Sequence, residues 1–196
     1  VALLERLDPG QWAAPSRCDA WSVREVVAHL VSVNGFWAAS VTAGLAGTPT
    51  RMLTGFDPAA TPPLLVGSML ALSAPEVLEQ FRQSCQALDA VLEPLAGEQW
   101  AMAAETPAGH VPIAALVGYG LWDSWIHERD IALPLGIAPV VDAGEVGSCL
   151  RFAAGLSPAL ALGSGPLAPV TLAMAADDPE VRFTLQVTDH VLVTDG

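Results

Sequence analysis

The sequence contains no lysine, and all eight of its basic residues are arginines. They are outnumbered by 21 acidic residues, so the formal net charge is −13. Nucleic acids and anionic lipid surfaces are bound mainly through clustered basic side chains. We therefore expect neither nucleic acid nor membrane among the partners of this chain.

Cysteine is also scarce, with only Cys18, Cys85 and Cys149 in the chain. They are odd in number, widely separated and free of any CxxC spacing, so they do not suggest a disulfide framework. Reduced thiols of this kind are typical of the cytoplasm, which is the expected location.

The sequence has few long apolar runs. Its longest uncharged stretch, residues 152–176, is long enough to cross a membrane, but glycines and prolines such as Gly155, Pro158 and Pro169 interrupt it. We read these residues as turns between short elements of a soluble protein. No signal peptide precedes the first expected helix.

Apolar residues make up 52% of the chain and charged residues 15%, a composition that can bury a sizeable core. Helical periodicity and capping signals predict four helices in the first two thirds. The second begins at a capping box formed by Ser22 and Glu25, and the third at a similar box formed by Ser73 and Glu76. The predicted helices cover residues 1–7, 23–45, 74–95 and 112–133. Long connectors follow the second and third helices, and the first of these contains a short helix from Leu64. This pattern predicts a four-helix bundle with crossover connections.

The pattern changes after Gly136. Residues 142–162 predict a further helix, and residues 169–175, 181–187 and 190–194 predict three short antiparallel strands. We therefore expect a mainly α bundle at 1–137 and a small α+β domain at 138–196. A lone three-stranded sheet leaves an edge that a further element should cover, so we expect this second domain to be truncated at Gly196.

The sequence Tyr119-Gly-Leu-Trp-Asp-Ser-Trp-Ile-His-Glu-Arg-Asp130 carries the clearest chemistry. Asp123 and His127 are four residues apart in an apolar helix, so both side chains leave one face. His29 falls on the inward stripe of the second helix. Together they form a candidate His/Asp/His set for zinc with a fourth position open. The alternative is that these are ordinary core residues whose hydrogen bonds are satisfied.

Two motifs resemble a known family. Cys18-Asp-Ala-Trp-Ser-Val-Arg-Glu-Val-Val-Ala-His-Leu30 and His127-Glu-Arg-Asp-Ile-Ala-Leu-Pro-Leu-Gly136 are similar to the two signatures of the mycothiol-dependent maleylpyruvate isomerase family of DinB-like metal-binding bundles. The resemblance covers residues 1–137. Residues 138–196 resemble, more loosely, the start of a sterol-carrier-like C-terminal domain.

The resemblance implies a metal held at His29, Asp123 and His127, although the family more often has Glu at the position of Asp123. It also implies that a bound divalent metal, expected to be Zn²⁺, lowers the pKa of mycothiol so that its thiolate attacks an electrophilic small molecule. The expected activity is that of a thiol S-transferase or isomerase. A metal-dependent hydrolase and a non-catalytic ligand-binding or regulatory module remain alternatives. We expect a monomer or homodimer.

Four further residues are candidates for a site. Tyr119 could hydrogen-bond a ligand or pack in the core, and Asp130 could support a metal ligand or be a solvated charge. Arg129 and Arg182 could bind a substrate or cofactor carboxylate, or form surface ion pairs. Arg182 is the candidate for cofactor binding.

Other residues are interpreted more conservatively. Cys18 has no histidine near it in sequence, so we interpret it as packing under Trp21 rather than as a nucleophile. Trp37, Phe56 and Met69 could line the entrance to the pocket, although core packing is the default for all three.

Overall fold

The computed structural model describes residues 1–195 and divides into two compact units, Val1–Pro139 and Val140–Gly196. The first unit is helical apart from one short hairpin. Its helices are α1 (Pro9–Ala13), α2 (Val23–Leu45), α3 (Thr61–Gly67), α4 (Ala74–Leu92) and α5 (Ile113–Ala132), and its strands are β1 (Ala103–Thr106) and β2 (Gly109–Pro112). The second unit contains α6 (Ala143–Ser164), β3 (Val170–Asp177), β4 (Glu180–Val187) and β5 (Val191–Asp195).

Helix α2 is central to the first unit, where it packs against α4, α5 and β1. Ser22 begins it as predicted, because the Ser22 side chain accepts from the Glu25 amide while the Glu25 carboxylate accepts from the Ser22 amide. Two hydrophobic clusters lie along this helix. The first surrounds its N-terminal half and includes Trp12, Val23, Val26, Val27, Val66 and Val77. The second surrounds its C-terminal half and includes Trp37, Val41, Ala104, Ile113 and Leu116.

The first predicted helix and the second connector differ from expectation. Residues 1–7 contain only a one-turn 3-10 helix, Leu4–Arg6, because Leu7 is extended and Asp8 already caps α1. Residues 97–107, expected to be a connector, contain a 3-10 helix, Gly97–Ala101, and strand β1. The hairpin was not predicted because its strands have four residues each and no clear alternation of apolar and polar side chains.

The second unit is an antiparallel sheet in the order β3-β4-β5, with α6 packed on β4 and β5. Val181, Phe183, Leu185 and Val187 of β4 are buried, in the alternation expected for a half-covered strand. Gly155 and Pro158, interpreted above as turn residues, both lie inside α6. A Cβ at Gly155 would lie 3.4 Å from a Val193 methyl group, so the helix approaches β5 closely at this point.

Helices α2 and α6 are long and apolar enough to cross a membrane, judged by length and composition alone. That criterion is also met by helices buried in protein cores. Helix α2 has ten buried residues and is such a core helix within the first unit.

Candidate metal centre

The three expected metal ligands come from two helices of the first unit. Helix α2 presents His29 seven residues after its cap, and α5 presents Asp123 and His127 one turn apart. The His29 Nε2 atom lies 4.0 Å from Asp123 Oδ2, and the His127 Nε2 atom lies 3.8 Å from Asp123 Oδ1. The structure therefore brings His29 close to two residues that lie 94 and 98 positions further along the sequence.

A hydrogen bond defines the orientation of His127. Its Nδ1 atom lies 3.0 Å from Asp130 Oδ2, one turn further along α5. A carboxylate accepts hydrogen bonds, so this contact favours the tautomer with the proton on Nδ1. The Nε2 lone pair of His127 is then directed to the side on which Asp123 lies.

His29 is held between two rings. Its ring centroid lies 5.2 Å from that of Trp21 and 5.0 Å from that of His127. Burial lowers the pKa of His29 to about 4, and the neighbouring His127 acts in the same direction. At neutral pH His29 is therefore an uncharged imidazole, the form that can coordinate a metal.

Asp123 is the most buried of the three residues, with 9% of its surface exposed. Burial raises its pKa to about 6, opposed by His127 and reinforced by Asp130. The carboxylate is still predominantly ionised at neutral pH. Its buried Oδ2 atom has no hydrogen-bond partner among residues 1–195, although buried polar atoms are nearly always paired.

These features fit a divalent cation. The candidate ligand atoms of His29, Asp123 and His127 all lie within 4.8 Å of one another. Two ligands of a tetrahedral zinc ion are about 3.4 Å apart, and the two imidazoles lie 4.0 Å from Oδ2 and 3.8 Å from Oδ1 of Asp123, slightly beyond that distance. A cation at this position would be a partner for the unpaired oxygen of Asp123 and would accept the lone pairs of the two imidazoles beside it.

The three residues lie beside an apolar cavity, and His29 and Asp123 form part of its wall. The cavity encloses about 620 Å³ of space, including its opening to solvent. Apart from His29 and Asp123, its wall comprises Ser32, Val33, Phe36, Trp37, Leu53, Phe56, Thr61, Pro62, Leu65, Pro107 and Tyr119. Trp37 and Phe56 thus line the cavity, whereas Met69 packs against the first hydrophobic cluster. A small molecule in this cavity would reach two of the three candidate ligands directly.

Cys18 has contacts that its position in the sequence did not reveal. As expected, it packs with Trp21 against the first hydrophobic cluster. However, its Sγ also lies 3.8 Å from His127 Nδ1 and donates to Asp130 Oδ2 over 3.4 Å. Burial, followed by the charge of Asp130, raises the pKa of Cys18 to about 11. The thiol is therefore protonated at neutral pH and poorly suited to nucleophilic attack.

The other candidate residues occupy different environments. Tyr119 lines the cavity with its ring 5.2 Å from that of Trp37, and burial followed by the charge of Asp123 raises its pKa. Arg129 stacks on Trp125 and pairs with Glu128. Arg182 belongs to the second unit, where it pairs with Glu180 on the exposed side of β4. The assignment of Arg182 to cofactor binding stays a prediction.

Sequence reasoning missed one buried carboxylate. Glu105 on β1 is 6% exposed and accepts hydrogen bonds from the Thr50 hydroxyl and from the amides of Met52 and Leu53. It thereby attaches the connector after α2 to the hairpin. The only signal in the sequence was one of the two acidic residues of the connector, which could not identify partners 52 to 55 residues away.

Comparisons with known proteins agree with the fold and with the family resemblance. Residues 1–132 match the family described as the mycothiol maleylpyruvate isomerase N-terminal domain. Similar solved structures include the crystal structure of mycothiol-dependent maleylpyruvate isomerase, with a TM-score of 0.62, and that of a histidine-to-alanine mutant of this enzyme, with a TM-score of 0.63. Both are 18% identical to this chain, and each alignment covers 79% of this chain and 62% of the other. No curated protein matches the chain in sequence. Because the family match spans about two thirds of its length, the chain belongs to the mycothiol maleylpyruvate isomerase N-terminal domain family.

Proposed function

We propose that this chain is the metal-binding part of a mycothiol-dependent isomerase, with a divalent cation, Zn²⁺, held by His29, Asp123 and His127. The family and the names of the similar structures support the reaction class. The observation that carries the metal site is the buried carboxylate of Asp123, which lies between two imidazoles and whose Oδ2 atom has no hydrogen-bond partner among residues 1–195. A buried carboxylate in such a position is costly unless a cation compensates it.

When bound, the cation would act as a Lewis acid and lower the pKa of a small thiol, so that more of the thiol is ionised near neutral pH. The residues of the chain have separate roles. Asp130 would hold His127 in the tautomer with a free Nε2, and burial would keep His29 uncharged. The apolar cavity wall would exclude water from the thiol and its acceptor, which favours reaction between the two over hydrolysis.

The name maleylpyruvate denotes a cis double bond conjugated to carbonyl groups. In the proposed isomerisation a carbon–sulfur bond forms at one alkene carbon while the π electrons move onto the conjugated carbonyl. Rotation about the resulting single bond follows. The carbon–sulfur bond then breaks as the trans double bond forms again, so the thiol is regenerated and no oxidant is needed.

Metal binding is the first test, because this chain spans 62% of the length of the similar structures and turnover can depend on the whole enzyme. Wild type, His29→Ala and His127→Ala would be compared by elemental analysis after purification. We expect about one zinc per chain in wild type and loss of zinc in both variants. His190→Ala is the matched control, since His190 is 69% exposed and lies in the second unit.

Wild type without metal, and with a melting temperature that zinc does not raise, would contradict the proposal.

In a second experiment, turnover of maleylpyruvate would be measured with and without mycothiol. We expect strict dependence on the thiol and loss of activity in His127→Ala. Turnover that persists without any thiol would instead indicate a hydrolase.

The remaining expectations belong to the same proposal. The metal-binding domain would comprise residues 1–137, and residues 138–196 would be the start of a sterol-carrier-like domain. The protein would act in the cytoplasm as a monomer or homodimer.

A further inference from the structure

A second cavity adjoins the apolar one in the first unit. It encloses about 730 Å³ of space, including its opening to solvent. Leu53, Phe56 and Pro107 line both cavities, so the two cavities are adjacent. The second cavity is more polar, because Arg51, Glu105 and His110 form part of its wall. A ligand in the apolar cavity that reached past these three side chains would meet this polar wall.

The backbone around Arg51 is fixed. The preceding residue, Thr50, donates its hydroxyl proton to Glu105 Oε2, and the following residue, Met52, donates its amide proton to the same oxygen. Glu105 is itself anchored to α2, because the Ser40 hydroxyl donates to its carbonyl oxygen. The backbone at Arg51 is therefore held in place, which reduces the conformational entropy that is lost when the Arg51 side chain binds a ligand.

The guanidinium of Arg51 is unpaired. Among residues 1–195, its side chain forms no hydrogen bond, ion pair or ring contact. Glu105 forms no ion pair with Arg51, and its carboxylate accepts instead from three donors of the connector. His110 is not free to bind an anion through Nε2, because this atom is hydrogen-bonded to the Thr50 carbonyl oxygen at 2.7 Å. In a chain with 21 acidic residues, a free arginine at a cavity is a clear candidate for ligand binding.

We propose that Arg51 binds a carboxylate of the acceptor substrate in this second cavity while the carbon skeleton of the substrate lies in the apolar cavity beside His29 and Asp123. This inference rests on the proposed function and adds to it a residue, Arg51, that would hold the acid group of the substrate. A guanidinium binds a carboxylate through two parallel hydrogen bonds. The acid group would therefore fix the direction in which the reacting carbons enter the site.

A binding experiment tests the inference without relying on turnover. The probes are 3-phenylpropanoate and its neutral amide, which share an apolar body and differ in charge. Affinities would be measured by calorimetry for wild type, Arg51→Gln and Arg51→Lys. We expect wild type to bind the acid at least about tenfold more tightly than the amide, Arg51→Gln to lose this preference, and Arg51→Lys to keep part of it.

Arg6→Gln is the control, because Arg6 is exposed, lies in the same unit and loses the same charge. It should bind the acid as tightly as wild type does. Equal binding of acid and amide by wild type would overturn the inference. An acid preference that persists in Arg51→Gln would also overturn it, since the carboxylate would then be bound elsewhere, for example by the metal.

The kinetic test separates this inference from the proposed function. With maleylpyruvate and mycothiol, Arg51→Gln should raise KM for maleylpyruvate by about tenfold or more and leave the KM for mycothiol unchanged. An Arg51-dependent acid preference in a protein without turnover would support this binding site and reject the proposed isomerase. Normal turnover by Arg51→Gln, with an unchanged KM for maleylpyruvate, would support the proposed isomerase and reject the binding site at Arg51.

Discussion

Asp130 determines which nitrogen of His127 faces the other candidate ligands. Its Oδ2 atom lies 3.0 Å from His127 Nδ1 and also accepts from the Cys18 thiol. Carboxylates in this position orient metal-binding histidines and raise their basicity. At the level of single residues, the candidate site therefore depends on a fourth side chain that need not contact the metal.

Replacing Asp130 by alanine should weaken zinc binding by about 10- to 100-fold, because His127 would lose its preferred tautomer and orientation. Competition with a chromophoric chelator would measure this affinity. Glu128→Ala is the control, since Glu128 is a carboxylate on the same helix whose side chain is 43% exposed and pairs with Arg129. Unchanged affinity in Asp130→Ala would show that His127 binds zinc without this support.

Glu105 links stability to pH. Burial favours its neutral form, but hydrogen bonds from Leu53, Thr50 and Met52 outweigh burial and lower its pKa, and His110 adds to this effect. A carboxyl group with a lowered pKa in the folded state contributes stability above its unfolded pKa of about 4.5 and loses that contribution as pH falls through the folded value.

Glu105→Gln should therefore lower the free energy of unfolding at pH 7 by about 1–3 kcal/mol. The difference from wild type should shrink as pH is lowered from 5 to 3. Urea denaturation at each pH would measure it, with the exposed Glu98→Gln as control. A difference that does not vary with pH would mean that the charge of Glu105 is unimportant.

At the level of elements, α2 joins the candidate site to the hairpin. His29 lies in its N-terminal half, and near its C-terminal end Gly44 contacts β1. A Cβ at Gly44 would collide with the backbone carbonyl oxygen of Ala103, which cannot move aside as a flexible side chain can. The close approach of α2 and β1 therefore requires glycine at this position.

Gly44→Ala should destabilise the protein by about 1–3 kcal/mol through overpacking. Gly35→Ala provides a matched control in the same helix, because Gly35 is exposed and a Cβ there would meet no atom within 4 Å. It should stabilise the protein by up to about 1 kcal/mol, since alanine is the better helix former. The free energies of unfolding of the two variants would be measured by thermal or urea denaturation. Equal stability of the two variants would contradict the close contact between α2 and β1.

At the level of the whole molecule, all three candidate ligands lie in Val1–Pro139. Zinc that binds only the folded protein should stabilise it by about 4 kcal/mol at 1,000 times its dissociation constant. Hydrogen exchange with and without zinc should show greater protection in α2 and α5, and little change in β3, β4 and β5. A comparable change in those strands would indicate that the second unit also senses the metal.

Several parts of the molecule were determined by the sequence alone. The capping box of Ser22 and Glu25 and the periodic apolar residues after it predicted α2 with its observed bounds, because helix starts depend on residues within one turn of each other. Similarly, residues 181–187, bounded by turn signals, predicted the strand β4. The spacing of Asp123 and His127 predicted their common face, since four residues make about one turn.

Other features were decided only by the tertiary structure. The hairpin β1–β2 has little intrinsic strand character and is formed against α2 and α5. Cys18 and His127 are 109 residues apart, and Glu105 and Thr50 are 55 apart, so no local pattern could reveal either contact. No local pattern could reveal, either, that Arg51 lies unpaired beside a cavity. The physical reason is that local propensities act over a few residues, whereas these contacts depend on how helices separated by long connectors pack together.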